Sequence, residues 1–332
     1  MADIGHKFTD AVIAQIERRL KLEYYSALKD MQKESTKFLK RFEKADKQML
    51  KKLNANEITV QEYTEWRNRN ILQTHRTEAL IGELSERLTH TDEVAADIAN
   101  GQVPKVYSEN YNYATFDIEN QSGINTNFSL MSEDAVSELI KGNTSMALRV
   151  DIPKDLAWNE KHIRSALTQG VLKGEAIPKI AKRLQKVTNM DRTAATRNAR
   201  TLMTRSQNAG RMEGIKRAVE LNLPVAKVWI ATLDHRTRDS HVDLDSEVQK
   251  WDATFSNGMD YPGASGPPEE VYNCRCDMRP LYEGTKFDAS NLDLRNTSHM
   301  EEASYEEWKN AHRVTRNENG RVVRAKGRRE TK

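Results

Sequence analysis

From Phe8 to Leu53 apolar side chains return every three or four residues, and no proline interrupts them. Val12, Ile16, Leu20, Tyr24, Leu28 and Met31 form one stripe; Phe38, Phe42, Ala45, Met49 and Leu53 form the next, with Lys, Arg and Glu between. That spacing gathers the apolar groups on one face of a long amphipathic helix, heptad-like in places, which needs a helical partner. Asn54-Ala55-Asn56 breaks the pattern. Thr59 and Glu62 then have the spacing of a capping box, opening a second helix that carries Tyr63, Trp66, Ile71, Leu80, Ile81, Leu84 and Leu88. Two antiparallel helices joined by a tight turn are the simplest arrangement. The composition suits it: 37% hydrophobic against 30% charged residues fits solvent-washed helices.

Further along, Asp92 to Ala99 continues helical, whereas Gly101 to Asn127 is rich in Asn, Tyr and Ser and reads as a loop or irregular connection. Ser132 caps a short helix through Leu139, and Met146 to Ile152 alternates as a strand. Trp158 to Leu172 is a helix, Gly174 stops it, and Pro178 opens another. Asp191 has the character of an N-cap for the long helix that follows, where Gly210 and Gly214 would admit a close backbone. Arg197, Arg200, Arg205, Arg211 and Lys216 on it read as a solvated face, and Ala226 to Leu233 as a strand. The expected fold is mainly α. A helical hairpin or coiled-coil-like arm (1–100) and a loop-rich connection with a short helix and strand (101–153) come first. A small α+β domain (154–285) and a polar, basic, partly disordered tail (286–332) follow.

No run of about 18 apolar residues exists to span a membrane. The N-terminus lacks a basic-then-apolar signal pattern, and the two cysteines stand at C-x-C spacing, so we expect synthesis in a reducing cytoplasm. A formal charge of +3 makes the whole chain no general polyanion trap, but the tail is basic. Arg321, Arg324, Lys326, Arg328 and Arg329 there would contact double-stranded DNA through its phosphates, without sequence preference and with strong salt dependence.

The chemistry concentrates between Trp229 and Pro280. Cys274 and Cys276 on a strand would turn both thiols to one face, where a disulfide is strained but a shared zinc is not. His241 would be a third ligand, with Asp234, His235, Asp239 or Asp243 as candidates for a fourth; the alternative is two packed reduced thiols. The run from Asp234 to His241 also allows metal-dependent phosphodiester cleavage, with His235 or His241 as general base and Asp234 or Asp239 on the metal. Without chemistry, it is a turn in which Asp234 caps backbone amides and Arg236 or Arg238 pairs with Asp239 or Asp245.

The ordered series ARTLMTRSQNAGRMEGIKRA, KVWIATLD, RTRDSHVDLD, YPG and NCRCDMRP resembles the phage head morphogenesis family, the minor head proteins similar to protein F of phage Mu. The likeness covers about Thr193 to Leu281. It implies a minor virion component of the phage head interior, acting in assembly and in DNA packaging or delivery rather than as an enzyme. Its partners would be the portal protein, the major capsid protein, or both, and it would pass through the host cytoplasm during assembly. Family positions fall on Trp229, Asp234, Arg236, Thr237, His241, Asn273, Cys274, Arg275 and Cys276. Relatives with more cysteines differ here at Arg238, His241 and Val271, so their zinc site would retain at most His241, Cys274 and Cys276. The turn after Leu244-Asp245 carries Ser246 in place of their frequent glycine. The alternative is a metal-dependent nuclease or a zinc-stabilised DNA-binding module.

Overall fold

The computed structural model describes residues 3–72, 75–126, 128–283, 299–312, 314–316 and 322–324. Its helices in chain order are α1 (Ile4–Asn54), α2 (Val60–Leu72), α3 (His75–Asn100), α4 (Val103–Ser122), α5 (Glu133–Leu139), α6 (Ile152–Leu172) and α7 (Ile177–Glu220), then the short α8 (Asp239–Val242) and α9 (Pro268–Val271), and α10 (His299–His312). The strands are β1 (Val225–Ile230), β2 (Val248–Lys250) and β3 (Asp277–Tyr282), with a separate pair, β4 (Val314–Arg316) and β5 (Val322–Arg324). The fold is thus mainly α, with long N-terminal helices and a small α+β part toward the C-terminus. The main sheet has the order β2-β1-β3 and is antiparallel throughout, with Val228 opposite Val248 and Trp229 opposite Met278. Among the described residues no helix is long and apolar enough to cross a membrane.

The chain divides into two compact units, one formed by Met1–Ile16, Ala99–Leu148 and Arg197–Lys332, the other by Glu17–Ile98 and Arg149–Thr196. In the second unit Leu20, Tyr24, Met31, Leu84, Leu88, Ile163 and Leu184 make a buried core, as the helical spacing requires. The capping box forms: Thr59 N donates to Glu62 at 2.8 Å and Glu62 N to the Thr59 hydroxyl at 3.1 Å. A side chain at Gly170 would meet Ile180 at 2.6 Å, so a glycine lets α6 and α7 cross closely. Asp191, expected to cap a helix, lies inside α7 because neither proline nor glycine falls between Lys179 and Ala209. It belongs to a half-buried acidic cluster. Tyr24 donates to Asp92 at 2.5 Å, and the Asn159 amide donates to Thr89 at 3.0 Å and Asp92 at 3.3 Å. Burial, reinforced by Asp92 and Asp155, pushes Asp191 up to about 8. Asp92 is raised to about 6 by burial, against the hydrogen bonds from Tyr24 and Asn159.

In the first unit the expected loop at 101–127 is instead α4, with Pro104 in its first turn and Gly123 as its left-handed cap. Val106, Tyr107, Asn110, Tyr111, Tyr113, Phe116 and Ile118 are all buried. A helix enclosed on every side shows no amphipathic period, and burial overrides the weak propensity of Asn and Tyr. Gly210 and Gly214 do mark a close approach: a side chain at Gly210 would meet the Tyr107 carbonyl at 2.3 Å, and one at Gly214 the Ala114 Cβ at 3.1 Å. The expected strand at Met146 to Ile152 is absent. Thr144–Met146 is a turn of 3-10 helix, and α6 starts at Ile152 with Asp151 as N-cap and Pro153 in its first turn.

Arg211, expected on a solvated face, is fully buried. It donates to both oxygens of Asp3 at 2.7 Å, to Asn110 Oδ1 at 3.1 Å and to the Met278 carbonyl at 3.2 Å, and pairs with Asp277 at 2.9 Å. Arg279 beside it pairs with Asp117 at 2.9 Å and faces Asp3 at 3.7 Å. Burial works against the Asp3 charge, but Arg211 and Arg279 overcome it and hold the carboxyl far below its usual range. Burial raises Asp277 to about 6 in spite of Arg211. Arg205 is likewise engaged, donating to the Gly263 and Ser145 carbonyls at 2.7 Å each. On the same unit α10 is anchored by Tyr305 and Trp308 against Phe116, the Trp308 indole donating to Glu119 at 2.6 Å.

Two expectations follow. Asp3→Ala strips a counter-charge from two buried guanidinium groups and should cost about 3–5 kcal/mol in urea unfolding; an unchanged midpoint would show the network to be dispensable. In the second unit, Asp92 and Asp191 bind protons more tightly folded than unfolded. Their contribution is therefore fully present below about 3.8 and is lost as pH rises through about 6 and 8. Melting temperatures of the wild type and Asp191→Asn should accordingly diverge between about pH 4 and pH 8, with the variant less sensitive; parallel curves across that range would refute the assignment.

Candidate metal centre

Three pieces of chain meet under the main sheet. β1 ends at Ile230 and leads into a turn built on Asp234, whose Oδ1 accepts from Arg236 N at 2.9 Å and from the Thr237 hydroxyl at 3.2 Å. The carboxylate also takes both guanidinium nitrogens of Arg275, and these contacts hold its pKa well below the usual carboxylate range. The turn feeds α8, which carries His241, while Pro267 and Pro268 open α9, which carries Glu270. Asn273 then adopts a left-handed backbone at φ 56°, turning the chain so that Cys274 and Cys276 approach β3 in extended form. Helix α7 holds that approach in place. Thr201 accepts from Asn273 N at 3.1 Å, Thr204 donates to the Cys274 carbonyl at 2.8 Å, and Asn208 donates to the Cys276 carbonyl at 3.3 Å.

His241, Cys274 and Cys276 are all buried, and their ligating atoms lie within 4.8 Å of one another. The Nδ1 of His241 is 3.3 Å from Cys276 Sγ and 3.6 Å from Cys274 Sγ, while its Nε2 is 2.8 Å from Glu270. The ring also stands edge-on to Trp229, 5.3 Å between centroids, and Trp229 in turn to Phe255 at 5.1 Å. Cys274 donates toward Cys276, which together with burial keeps its own thiol well above the ordinary value. Cys276 receives that bond and, helped by His241 against the cost of burial, is brought down to about 5. For His241, burial disfavours the charge, but Cys276 and then Glu270 outweigh it and raise its pKa.

An imidazole nitrogen and two sulfurs, one already favoured as thiolate, are the donor types that zinc takes. Glu270 on the far nitrogen is the usual outer partner of a ligating histidine, fixing which ring nitrogen faces the sulfurs. Sequence reasoning missed it; an acidic residue four before Cys274 was the available signal. The four candidates for a further ligand do not join the cluster: Asp234 is held by Arg275, and His235, Asp239 and Asp243 are exposed. Of the two candidate general bases, His241 has both ring nitrogens engaged by Cys276 and Glu270, and His235 is exposed. Of the pairings expected for the turn, the Asp234 cap forms. Arg236 instead lies 3.8 Å from Asp234, Arg238 donates to the Tyr272 carbonyl, and Asp245 accepts from Ala231 N at 2.9 Å. Arg321, Lys326, Arg328 and Arg329 lie outside the described residues, and Arg324 is described only as backbone of β5.

Comparison with known proteins bears on the same region. The family described as phage Mu protein F-like matches residues 161–279, which include all three ligand candidates. The minor head protein GP7 of Bacillus phage SPP1 is 24% identical over 314 residues, covering 91% of this chain and 94% of that protein. The NAD(+)–arginine ADP-ribosyltransferase EFV of Enterococcus faecalis is 25% identical over 254 residues, 74% of this chain but 51% of its own length. An uncharacterized protein of Haemophilus influenzae is 22% identical, over 60% of this chain and 42% of its own. No solved structure matches the chain significantly. Residues 161–279 of this chain are thus similar to the phage Mu protein F-like family.

Proposed function

We propose that the chain is a structural minor head protein of a tailed phage or prophage, a component of the virion head rather than an enzyme. The observation that carries this reading is the similarity to a minor head protein along nearly the whole of both chains. The ADP-ribosyltransferase shares only about half its length with this chain, so its named activity is not transferred. In this reading the protein assembles in the host cytoplasm, docks on the portal protein or major capsid protein, and takes part in head assembly and DNA packaging or delivery. The basic tail adds a sequence-blind contact with double-stranded DNA. Mass spectrometry of heads purified from a phage whose genome encodes this chain should find it in far fewer copies than the capsid protein. Its absence from heads at every stage of assembly would overturn the assignment.

A second reading concerns stability. His241, Cys274 and Cys276 would hold one zinc, with Glu270 orienting the histidine. A metal bound there supplies a cross-link between α8 and the approach to β3, as structural zinc does in small modules. Purified protein should carry about one zinc per chain, and Cys274→Ser should lose it together with several degrees of melting temperature. Metal-free protein that melts identically with and without chelator would leave two packed reduced thiols.

A further inference from the structure

Between β1 and α8 the chain turns through Leu233, whose backbone is left-handed at φ 54°. Among the described residues the other non-glycines in that region are Asn56, Asn222, Ser246 and Asn273, all short and polar. A left-handed backbone crowds Cβ against the following carbonyl, which a short polar side chain offsets by local hydrogen bonding and leucine does not. Nor does packing offset it, since Leu233 is 43% exposed and stands outside the hydrophobic core of its unit. The turn is pinned all the same. Thr232 donates to the Arg275 carbonyl at 2.7 Å, Arg275 grips Asp234 with both guanidinium nitrogens, and Arg238 donates to the Tyr272 carbonyl. These bonds lay it against the segment from Tyr272 to Arg275, where Tyr272 is itself 42% exposed and carries the Arg197 guanidinium over its ring at 4.8 Å.

We infer that Leu233 and Tyr272 are the apolar anchors of a docking surface for another protein of the phage head, one that offers an apolar recess edged by carboxylate. A lone exposed leucine would mean nothing. A strained one, held in place beside an exposed tyrosine and unused by the core, points to a contact outside the fold. Tyrosine and arginine are also the side chains that dominate binding energy at protein contacts. The carboxylate follows from Arg236, whose side chain is 62% exposed and whose neighbouring acid, Asp234 at 3.8 Å, is already in the closer grip of Arg275. A phosphate-tracking face would instead array free cations. Here Arg197, Arg238 and Arg275 are each engaged, and Asp234 and Asp239 interrupt the run. The inference rests on the head-protein reading and adds to it the surface that docks.

The test uses a phage whose genome encodes this chain and compares wild type, Leu233→Asn, Leu233→Met and Tyr272→Ser at full length. Leu233→Asn, freed of the strain, should melt no lower than the wild type. Its copies per purified head, counted by mass spectrometry, should nevertheless fall roughly tenfold or more. Tyr272→Ser should show the same loss, whereas Leu233→Met keeps an apolar anchor and should incorporate as the wild type does. Heads that hold Leu233→Asn at the wild-type number would overturn the inference. So would a clear drop in its melting temperature, because the leucine would then serve the fold. Sedimentation and retention of a labelled DNA duplex are measured on the purified chains. An oligomer dissociated by Leu233→Asn would assign the surface to a second copy, and duplex binding lost with it would assign it to nucleic acid; either overturns the inference. Wild type missing from heads removes the head-protein reading and this inference with it, an outcome distinct from wild type and variant both present.

Discussion

Arg211 keeps a full charge with none of its surface in water, and the first unit is arranged to make that tolerable. A buried guanidinium with one partner removed is among the costliest defects a fold can carry. Here its donors are shared among Asp3, Asn110, Asp277 and a main-chain carbonyl, and Arg279 with Asp117 extends the network. The ties reach the start of α1, the middle of α4, the C-terminal part of α7 and strand β3. Apolar contact could hold these elements together in several registers, but bidentate ion pairs of fixed geometry fix one.

The sulfur and imidazole cluster depends on that register. Its two cysteines are positioned less by their own sheet than by α7, whose Thr201, Thr204 and Asn208 hold the main chain on either side of them. The same helix carries Gln207, which donates to Asp277 at 2.7 Å, and Arg211 one turn further on. One helix therefore supports the cluster along one turn and the ion network along the next. That explains why a polar, arginine-rich helix lies against a core: its polar groups face carbonyls and carboxylates, and its glycines admit α4.

Where the sequence speaks through spacing, it was legible. The long stripes of α1, the Thr59–Glu62 cap, the two close-approach glycines and the convergence of His241 on the C-x-C pair all follow from period and residue type. What stayed hidden depends on burial. Helix α4 looks like a loop because tyrosines and asparagines surround it, and only the environment of the folded unit makes them core residues. Arg211 looks like its neighbours on a surface run, since nothing local distinguishes an arginine that will meet Asp3 from one that will meet water. Glu270 is hidden for the same reason: its partner is 29 residues away. The alternation at Met146 to Ile152 misled because a two-residue period without a partnering strand makes no sheet.

The spread of the Arg211 network along the chain also bears on how the protein is made. Asp3 and Arg211 are 208 positions apart, and Asp277 and Arg279 come later still. During vectorial synthesis the first unit cannot close its charged centre until β3 has cleared the ribosome, whereas the second unit already has all its segments by Thr196. The nascent chain therefore holds a solvated carboxylate at Asp3 for most of translation, and Arg211, once made, lacks its full set of partners until Asp277 and Arg279 follow. Such late, long-range closure slows folding and lengthens exposure to misassembly.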